Sequence, residues 1–341
     1  MTIRNCLLVV VLLLPAGVTA QPRPVPVTDP AKADADFAIQ GEYVGTVTED
    51  GKSQRVGVQV AITANVGEFK AISYRGGLPG DGWDKKFDAK TKRLVEASGQ
   101  TRDGLTVFPS LQGGRAVIKD GSMTVTSAGG DKLGELKRVV RQSPTLGAKP
   151  PPGALVLFDG SNLDHFLSKG PKAQMTEDKL LMIPARTKQS FTDFILHVEV
   201  RVPYRRPHSG PSGIYLQNSY HLAVLSRSAT TLSDLGGGGI RWVRAPDENL
   251  SFPPLSWQTF DVDYTAARFD AAGKVVKKPV VTIRHNGVVI HDQVELPETP
   301  PFYRGGGTDA LSPQGGPIHF QAHADDGGFV YRNIWVLEKK Q

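Results

Sequence analysis

The sequence predicts an all-β protein in two parts: a small antiparallel β-barrel or sandwich, then a larger jelly-roll sandwich of two packed antiparallel sheets. Three observations predict it. Apolar/polar alternations recur along the chain, separated by turn signals roughly every ten residues. Glycine (37) and proline (25) are abundant in 341 residues, as many short strands joined by tight turns require. No helical periodicity of any length interrupts them.

In the first part, strands are expected at Tyr43–Thr48, Arg55–Thr63, Glu68–Tyr74, Arg93–Ser98, Arg102–Phe108, Gly114–Lys119 and Ser122–Ser127. The clearest is Val56-Gly57-Val58-Gln59-Val60-Ala61-Ile62, whose β-branched residues all fall on one face. Asp50-Gly51, Asp103-Gly104 and Asp120-Gly121 supply hairpin turns. Trp83 is expected to plug one end of the barrel.

The first part spans 36–138. Residues 139–153 read as a linker, stiffened by Pro150-Pro151-Pro152. The second part, 154–341, has strand candidates at Ala154–Leu157, Lys179–Ile183, Phe194–Val202, Gly213–Gln217, His221–Leu225, Gln258–Tyr264, Val280–His285, Val288–Val294, Pro317–Ala322 and Phe329–Glu338. Asn286-Gly287 marks a hairpin between two of them.

Upstream, Met1–Ala20 has one basic residue, Arg4, an apolar run Leu7–Leu14, then Pro15 and Val18-Thr19-Ala20. That is the pattern of a secretory signal, with a run too short for a stable membrane anchor. A secreted or periplasmic protein with no integral membrane segment is expected, beginning near Gln21 with a mobile leader over 21–35. The single cysteine, Cys6, lies within the signal. The formal charge of +6 comes from scattered residues, with small clusters at Lys137-Arg138-Arg141, Arg201-Arg205-Arg206 and Lys274-Lys277-Lys278. Nucleic acid would need a denser stripe with a reading element, so it is excluded as a partner.

Several segments of the second part resemble one family. They are Leu157-Phe158-Asp159-Gly160-Ser161-Asn162-Leu163, the strand Phe191–Glu199, Ser212-Gly213-Ile214-Tyr215-Leu216, Trp257-Gln258-Thr259-Phe260, Asn286-Gly287-Val288, and the closing pair Pro317–His323 and Phe329–Trp335. Together they are similar to the 3-keto-disaccharide hydrolase domain family. The resemblance implies a concanavalin/lectin-like jelly-roll sandwich and cleavage of glycosidic bonds in sugars oxidised at C3, with an oligosaccharide or modified disaccharide as partner. The first part resembles a small β domain that often precedes that fold in exported proteins of bacteria such as planctomycetes; no chemistry attaches to it.

Strand parity draws the candidate site. His197, Glu199 and Arg201 share one side of their strand, Gln321 and His323 share another, and Arg332 shares its side with Val330, Ile334 and Val336. Glu199, Gln321, His323 and Arg332 are thus expected over one solvent-filled hollow. His323 has the intrinsic pKa for proton transfer near neutrality. Glu199 serves as base or orients a hydroxyl, and Arg332 offers a rigid fork of donors. A 3-keto sugar has an acidified hydrogen at C2, so one base and a carbonyl polariser suffice for elimination followed by hydration. A Glu–Arg pair on neighbouring strands is also a common structural ion pair, and both readings of Glu199 and Arg332 stay open. Tyr215, Gln217, Tyr220 and Trp257 are candidate sugar-contacting groups, as is Trp335.

Departures from the family pattern lie at Tyr220-His221-Leu222-Ala223-Val224-Leu225-Ser226, where His221, Ala223 and Ser226 replace an acid, a glutamine and an aspartate, and at Pro211 and Ala322. His221 joins the catalytic candidates. His221 and His323, with His197 or Glu199, could instead hold a divalent metal, although no compact metal motif is present. The run Gly236–Gly239 lacks the strand-then-helix setting of a phosphate loop. Three function classes stay open: a keto-glycoside hydrolase, a carbohydrate-binding module without catalysis, and an envelope interaction or structural protein.

Overall fold

The computed structural model describes residues 27–86, 95–110, 113–169, 172–206, 212–224, 232–301, 309–321 and 327–340. The signal segment, Pro211, Ser226, Ala322 and His323 lie outside them. Among the described residues, no helix is long and apolar enough to cross a membrane.

Eight strands form a closed barrel: β1 (Gly41–Glu49), β2 (Lys52–Ile62), β3 (Glu68–Arg75), β4 (Val95–Arg102), β5 (Leu105–Pro109), β6 (Arg115–Lys119), β7 (Ser122–Thr126) and β8 (Lys132–Val139). Each pairs antiparallel with the next, and β8 returns to β1. The alternation of β2 works as its sequence requires. Val56, Val58 and Val60 fill the interior with Tyr43, Phe69, Phe108, Ile118, Met123 and Leu136. In the three Asp-Gly turns both residues take positive φ (49 and 72° at Asp50-Gly51), the geometry of a two-residue hairpin.

Strand β8 is not anticipated by the sequence, because only Leu136 within Lys132–Val139 is an inward apolar residue. Its approach to β1 depends on Gly134, where a Cβ would lie 2.2 Å from the Thr46 carbonyl oxygen. Trp83 does not plug the barrel. It packs edge-on to Tyr74 at 5.3 Å, beside Ile72 and Leu78; Ile72 and Tyr74 alternate along β3 with the inward Phe69 and Ala71 and so face the outside of the wall.

The second part is a two-sheet sandwich. Its strands are β9 (Leu155–Phe158), β10 (Gln174–Met175), β11 (Leu181–Met182), β12 (Ala185–Phe191), β13 (Phe194–Arg201), β14 (Gly213–Leu216), β15 (Tyr220–Ala223), β16 (Trp257–Thr265), β17 (Arg268–Phe269), β18 (Val275–Lys277), β19 (Val280–His285), β20 (Val288–Glu295), β21 (Gly316–Gln321) and β22 (Val330–Glu338). The large sheet runs β10-β11-β22-β13-β16-β19-β20, with β9 also on β22. The small sheet runs β12-β21-β14-β15, and β17 and β18 pair separately. Leu196, Val198, Val200, Phe260, Val262, Ile334 and Val336 of the large sheet pack against Ile214, Leu216, Leu222, Ile318 and Phe320 of the small one. Each such side chain contributes roughly 1.5–3 kcal/mol on burial, so this interior sets the parity of both sheets.

The segment expected to be a mobile leader is held where it is described. Val27 forms a bridge with Tyr204, exchanging both backbone hydrogen bonds at 2.9 Å. Asp36 accepts from Arg206, which also donates to the carbonyls of Thr63 (3.1 Å) and Asn65 (2.8 Å). The linker is likewise bound down. Arg141 donates to both oxygens of the buried Glu42, at 2.7 and 2.5 Å, and to the Pro79 carbonyl at 2.7 Å.

Candidate functional site

Two polar faces emerge from the sandwich, one on the outside of each sheet. They divide residues that sequence parity had gathered.

On the large sheet, inward Leu196, Val198 and Val200 turn His197 and Glu199 outward. The linker crosses above them as a strap. Glu199 Oε1 accepts from the Gly147 amide at 2.5 Å and from Asn333 Nδ2 at 2.9 Å, and Oε2 accepts from Arg332 Nε at 2.7 Å. The Ala148 carbonyl accepts from Asn333 Nδ2 (3.0 Å) and Trp335 Nε1 (3.2 Å). Thr145 donates to Asp261 at 2.9 Å, and Asp261 also bonds His197 Nδ1 at 2.6 Å. Burial would raise the Glu199 pKa, but bonds from His197, Asn333, Arg332 and Gly147 override it and hold the group near 2. Burial opposes protonation of His197, yet Asp261 and Glu199 raise its pKa above the ordinary value. With Glu199 1% exposed and His197 fully buried, this is a closed ionic latch under the strap.

Arg332 reaches the latch by a route that simple alternation excludes. Asn333 has φ +44°, and the pairing register shifts between His197↔Trp335 and Glu199↔Arg332. This bulge keeps Arg332, Asn333 and Trp335 on the outer side while Tyr331 and Ile334 enter the core. Trp257 lies on the same face, its ring under the Arg332 guanidinium at 4.0 Å and near that of Arg201 at 5.4 Å. The expected meeting of Glu199 and Arg332 with Gln321 therefore does not occur: a packed apolar core lies between the sheets that bear them.

On the small sheet, inward Ile214, Leu216, Leu222, Ile318 and Phe320 turn Tyr215, His221, His319 and Gln321 outward together. The Tyr215 ring meets His221 edge-on at 4.8 Å and stacks on His319 at 5.7 Å. Gly213 makes room for the histidine: a Cβ there would lie 2.5 Å from the His221 ring and 2.3 Å from the Leu222 carbonyl oxygen. Burial drives the His221 pKa down to about 3, helped by the Arg241 charge and opposed by the neighbouring Gln321 amide. Apart from the approach of these two side chains to one another, the ring nitrogens of His221 and Oε1 of Gln321 are buried without a hydrogen-bond partner.

His319 Nδ1 lies 3.2 Å from Asn218 Oδ1. Since that oxygen can only accept, Nδ1 carries the proton and Nε2 keeps its lone pair. Burial lowers the His319 pKa to about 4, assisted by Arg186 and opposed by Asp309. Arg186 pairs with His319 across the β12–β21 register and bonds Asp309 at 3.2 Å. The face thus presents two neutral imidazoles, an aromatic wall, an amide and a guanidinium.

Two candidate sugar-contacting residues belong to the framework instead. Strand β14 ends at Leu216, so Gln217 sits in the turn at φ +53°. Its Nε2 donates to the carbonyls of Phe191 (2.8 Å) and Thr192 (3.2 Å), and its Oε1 accepts from Tyr264 at 3.0 Å. Tyr220 alternates with His221 and so enters the core, its hydroxyl donating to the Pro297 carbonyl. The metal set proposed from sequence is also divided, since His221 lies on one sheet and His197 and Glu199 on the other. Among the described residues, no group of three or more His, Cys, Asp or Glu side chains is arranged to hold a metal. His319 was missed although it shares the parity of Gln321, a signal legible in the sequence. Arg186 was missed because β12 was not anticipated.

The family model for the 3-keto-alpha-glucoside-1,2-lyase-like domain matches residues 153–337, the span of the sandwich. A 2.13 Å crystal structure of a candidate glycosyl hydrolase from Parabacteroides distasonis ATCC 8503 is 32% identical, with a TM-score of 0.49, covering 55% of this chain and 85% of that one. A second candidate glycosyl hydrolase from the same organism, at 1.70 Å, is 17% identical, with a TM-score of 0.35, covering 55% and 95%. Comparison with curated proteins gives no match.

Proposed function

We propose, for a chain that belongs to the family of 3-keto-alpha-glucoside-1,2-lyase-like domains, that the outer face of the small sheet binds a 3-keto-glycoside and breaks its glycosidic bond. One observation carries this reading: the buried His221 ring and Gln321 meet no hydrogen-bonding side chain beyond each other, so at least one His221 ring nitrogen is left unmatched. Buried polar groups are almost always satisfied, so these atoms are matched to the hydroxyls of a bound sugar.

The chemistry follows from the substrate class. A carbonyl at C3 acidifies the C2 hydrogen. His319 Nε2, the lone-pair nitrogen, accepts that proton. The electron pair of the C2–H bond forms the C1–C2 double bond as the C1–O bond breaks, and the leaving oxygen takes up a proton. Water then adds across the double bond to complete hydrolysis. Arg186, whose charge already acts on His319, stabilises the negative charge that develops on the C3 oxygen. Glu199 and Arg332 take no part, because the strap covers Glu199 and Arg332 is paired to it on the outer face of the other sheet. The signal-like sequence Met1–Ala20 supports an exported location for this activity.

The test is cleavage of a 3-keto-disaccharide in deuterated water. His319→Ala is expected to lower kcat by about a hundredfold or more, and His221→Ala to weaken substrate binding. Product from the wild-type protein should carry deuterium at C2. Wild-type turnover in H319A, or product without label, overturns the mechanism. A second reading, binding without turnover, draws on Ala223, which has no polar group where the family pattern places a glutamine. It predicts affinity for the keto-sugar with no cleavage.

A further inference from the structure

Trp242 lies outside the machinery described above and was not among the aromatic candidates read from sequence. It stands on a short loop stitched to β15. The Arg241 amide donates to the His221 carbonyl at 2.9 Å, Ile240 bridges Leu222, and the Arg244 amide closes a turn onto the Ile240 carbonyl at 2.9 Å. Within that turn Trp242 has φ +57°, a conformation that is unusual for a bulky side chain and persists only when surroundings enforce it. The Asp234 carboxylate enforces it by accepting the Trp242 amide at 2.8 Å. The Arg241 guanidinium then sits 4.5 Å from the indole centroid and fixes the ring.

These contacts hold a large apolar ring where water still reaches it: the side chain is 48% exposed. Burial would be the ordinary reason to fix an indole, and here it is not achieved. Ile240 bridges Leu222 and both face the core, so Arg241 turns to the outer side with His221 and its guanidinium carries the indole beside that face. Incompletely matched polar atoms are thus found deep in the face, at His221 and Gln321, and a fixed aromatic surface at its rim. A disaccharide matches that division. The reacting ring offers hydroxyls to the deep polar atoms, and the second ring can lay its C–H face on an aromatic surface.

We propose that Trp242 is a sugar-ring platform that binds the leaving-group ring of the substrate. This rests on the reading of the small-sheet face given above. It makes the protein selective for disaccharides over glycosides with a small leaving group, through a residue that takes no part in proton transfer.

The test uses two probes, a 3-keto-disaccharide and methyl 3-ketoglucoside, with Trp242→Gly and Trp242→Phe. Glycine occupies the left-handed region freely, so W242G removes the ring while suiting the turn. It is expected to lower kcat/KM for the disaccharide about tenfold, within the range of aromatic contacts, and to leave the methyl glycoside unchanged. W242F should restore most of the loss. An equal effect on both probes, or none on either, overturns the proposal. His319→Ala reports separately on the parent reading: wild-type turnover in H319A removes that reading while a selective W242G defect still stands. If neither probe is cleaved, their dissociation constants measured by calorimetry carry the same comparison. Equal affinities for the disaccharide in wild type and W242G, or no binding of either probe, then overturn the platform.

Discussion

Glu199 was read from sequence as either a catalytic carboxylate or a structural ion, and one substitution separates the two. In Glu199→Gln, one acceptor oxygen becomes a donor amide, yet all the groups around it are donors: the Gly147 amide, Arg332 Nε and Asn333 Nδ2. At least one must lose its acceptor. Holding a buried carboxyl from its ordinary 4.5 down to about 2 corresponds to about 3 kcal/mol of folding stability at neutral pH. Removing one partner of a buried ion pair costs about 3–5 kcal/mol in general, so the two routes agree on about 3 kcal/mol. The pH dependence has a definite sign. The folded pKa is depressed, so the contribution is complete above the unfolded value and is lost as pH falls from about 5 towards 2. Urea unfolding of wild type and E199Q between pH 2 and pH 7 (a range set by these two limits) measures both effects. E199Q should unfold at lower urea, respond less steeply to acid, and still cleave substrate when folded. A variant as stable as wild type but without turnover would refute the latch and restore Glu199 as a catalytic group.

Three further outcomes are expected. Gly213→Ala drives a methyl group into the Leu222 carbonyl and the His221 ring; overpacking of this kind costs about 1–3 kcal/mol, and activity should fall in parallel, measured by urea midpoint and turnover. Since burial holds His319 neutral down to about pH 4, kcat/KM should stay level on the acid side of neutrality and fall only as that pH is approached. The raised pKa of His197 works in the other direction. Its stabilising charge is complete below the ordinary value of 6.5 and is lost as pH rises through the higher folded value, so His197→Gln should flatten the alkaline arm of a stability–pH curve.

Parity was legible wherever strands were regular. The valines of β2, and the outward sets Tyr215–His221 and His319–Gln321, follow from alternation alone. Parity failed at Asn333, where the bulge reverses the sides of β22; nothing in Tyr331-Arg332-Asn333-Ile334 announces an extra residue, because the bulge is imposed by pairing with β13. The larger error was to treat outward-facing polar residues as one surface. A sandwich has two outer faces, and strand periodicity does not say which sheet a strand joins. That depends on the partners of β21 and β13, which are distant in sequence. The strap was similarly hidden. Ser143 and Thr145 look like ordinary linker residues, and their bonds to Thr259 at 2.6 and 2.7 Å exist only once β16 is in place. Strand β8 escaped notice because charge dominates its composition.

The barrel's circular pairing has a consequence for behaviour in crowded surroundings. Each of its eight strands is hydrogen-bonded on both flanks, so none offers the row of vacant amides and carbonyls on which another molecule's strand could assemble. Fibril-like growth through this half of the molecule would first require the ring to open at one of its seams, such as that between Gly41–Glu49 and Lys132–Val139, which joins its first and last segments. Substitutions that weaken that junction should therefore promote self-association before they abolish folding.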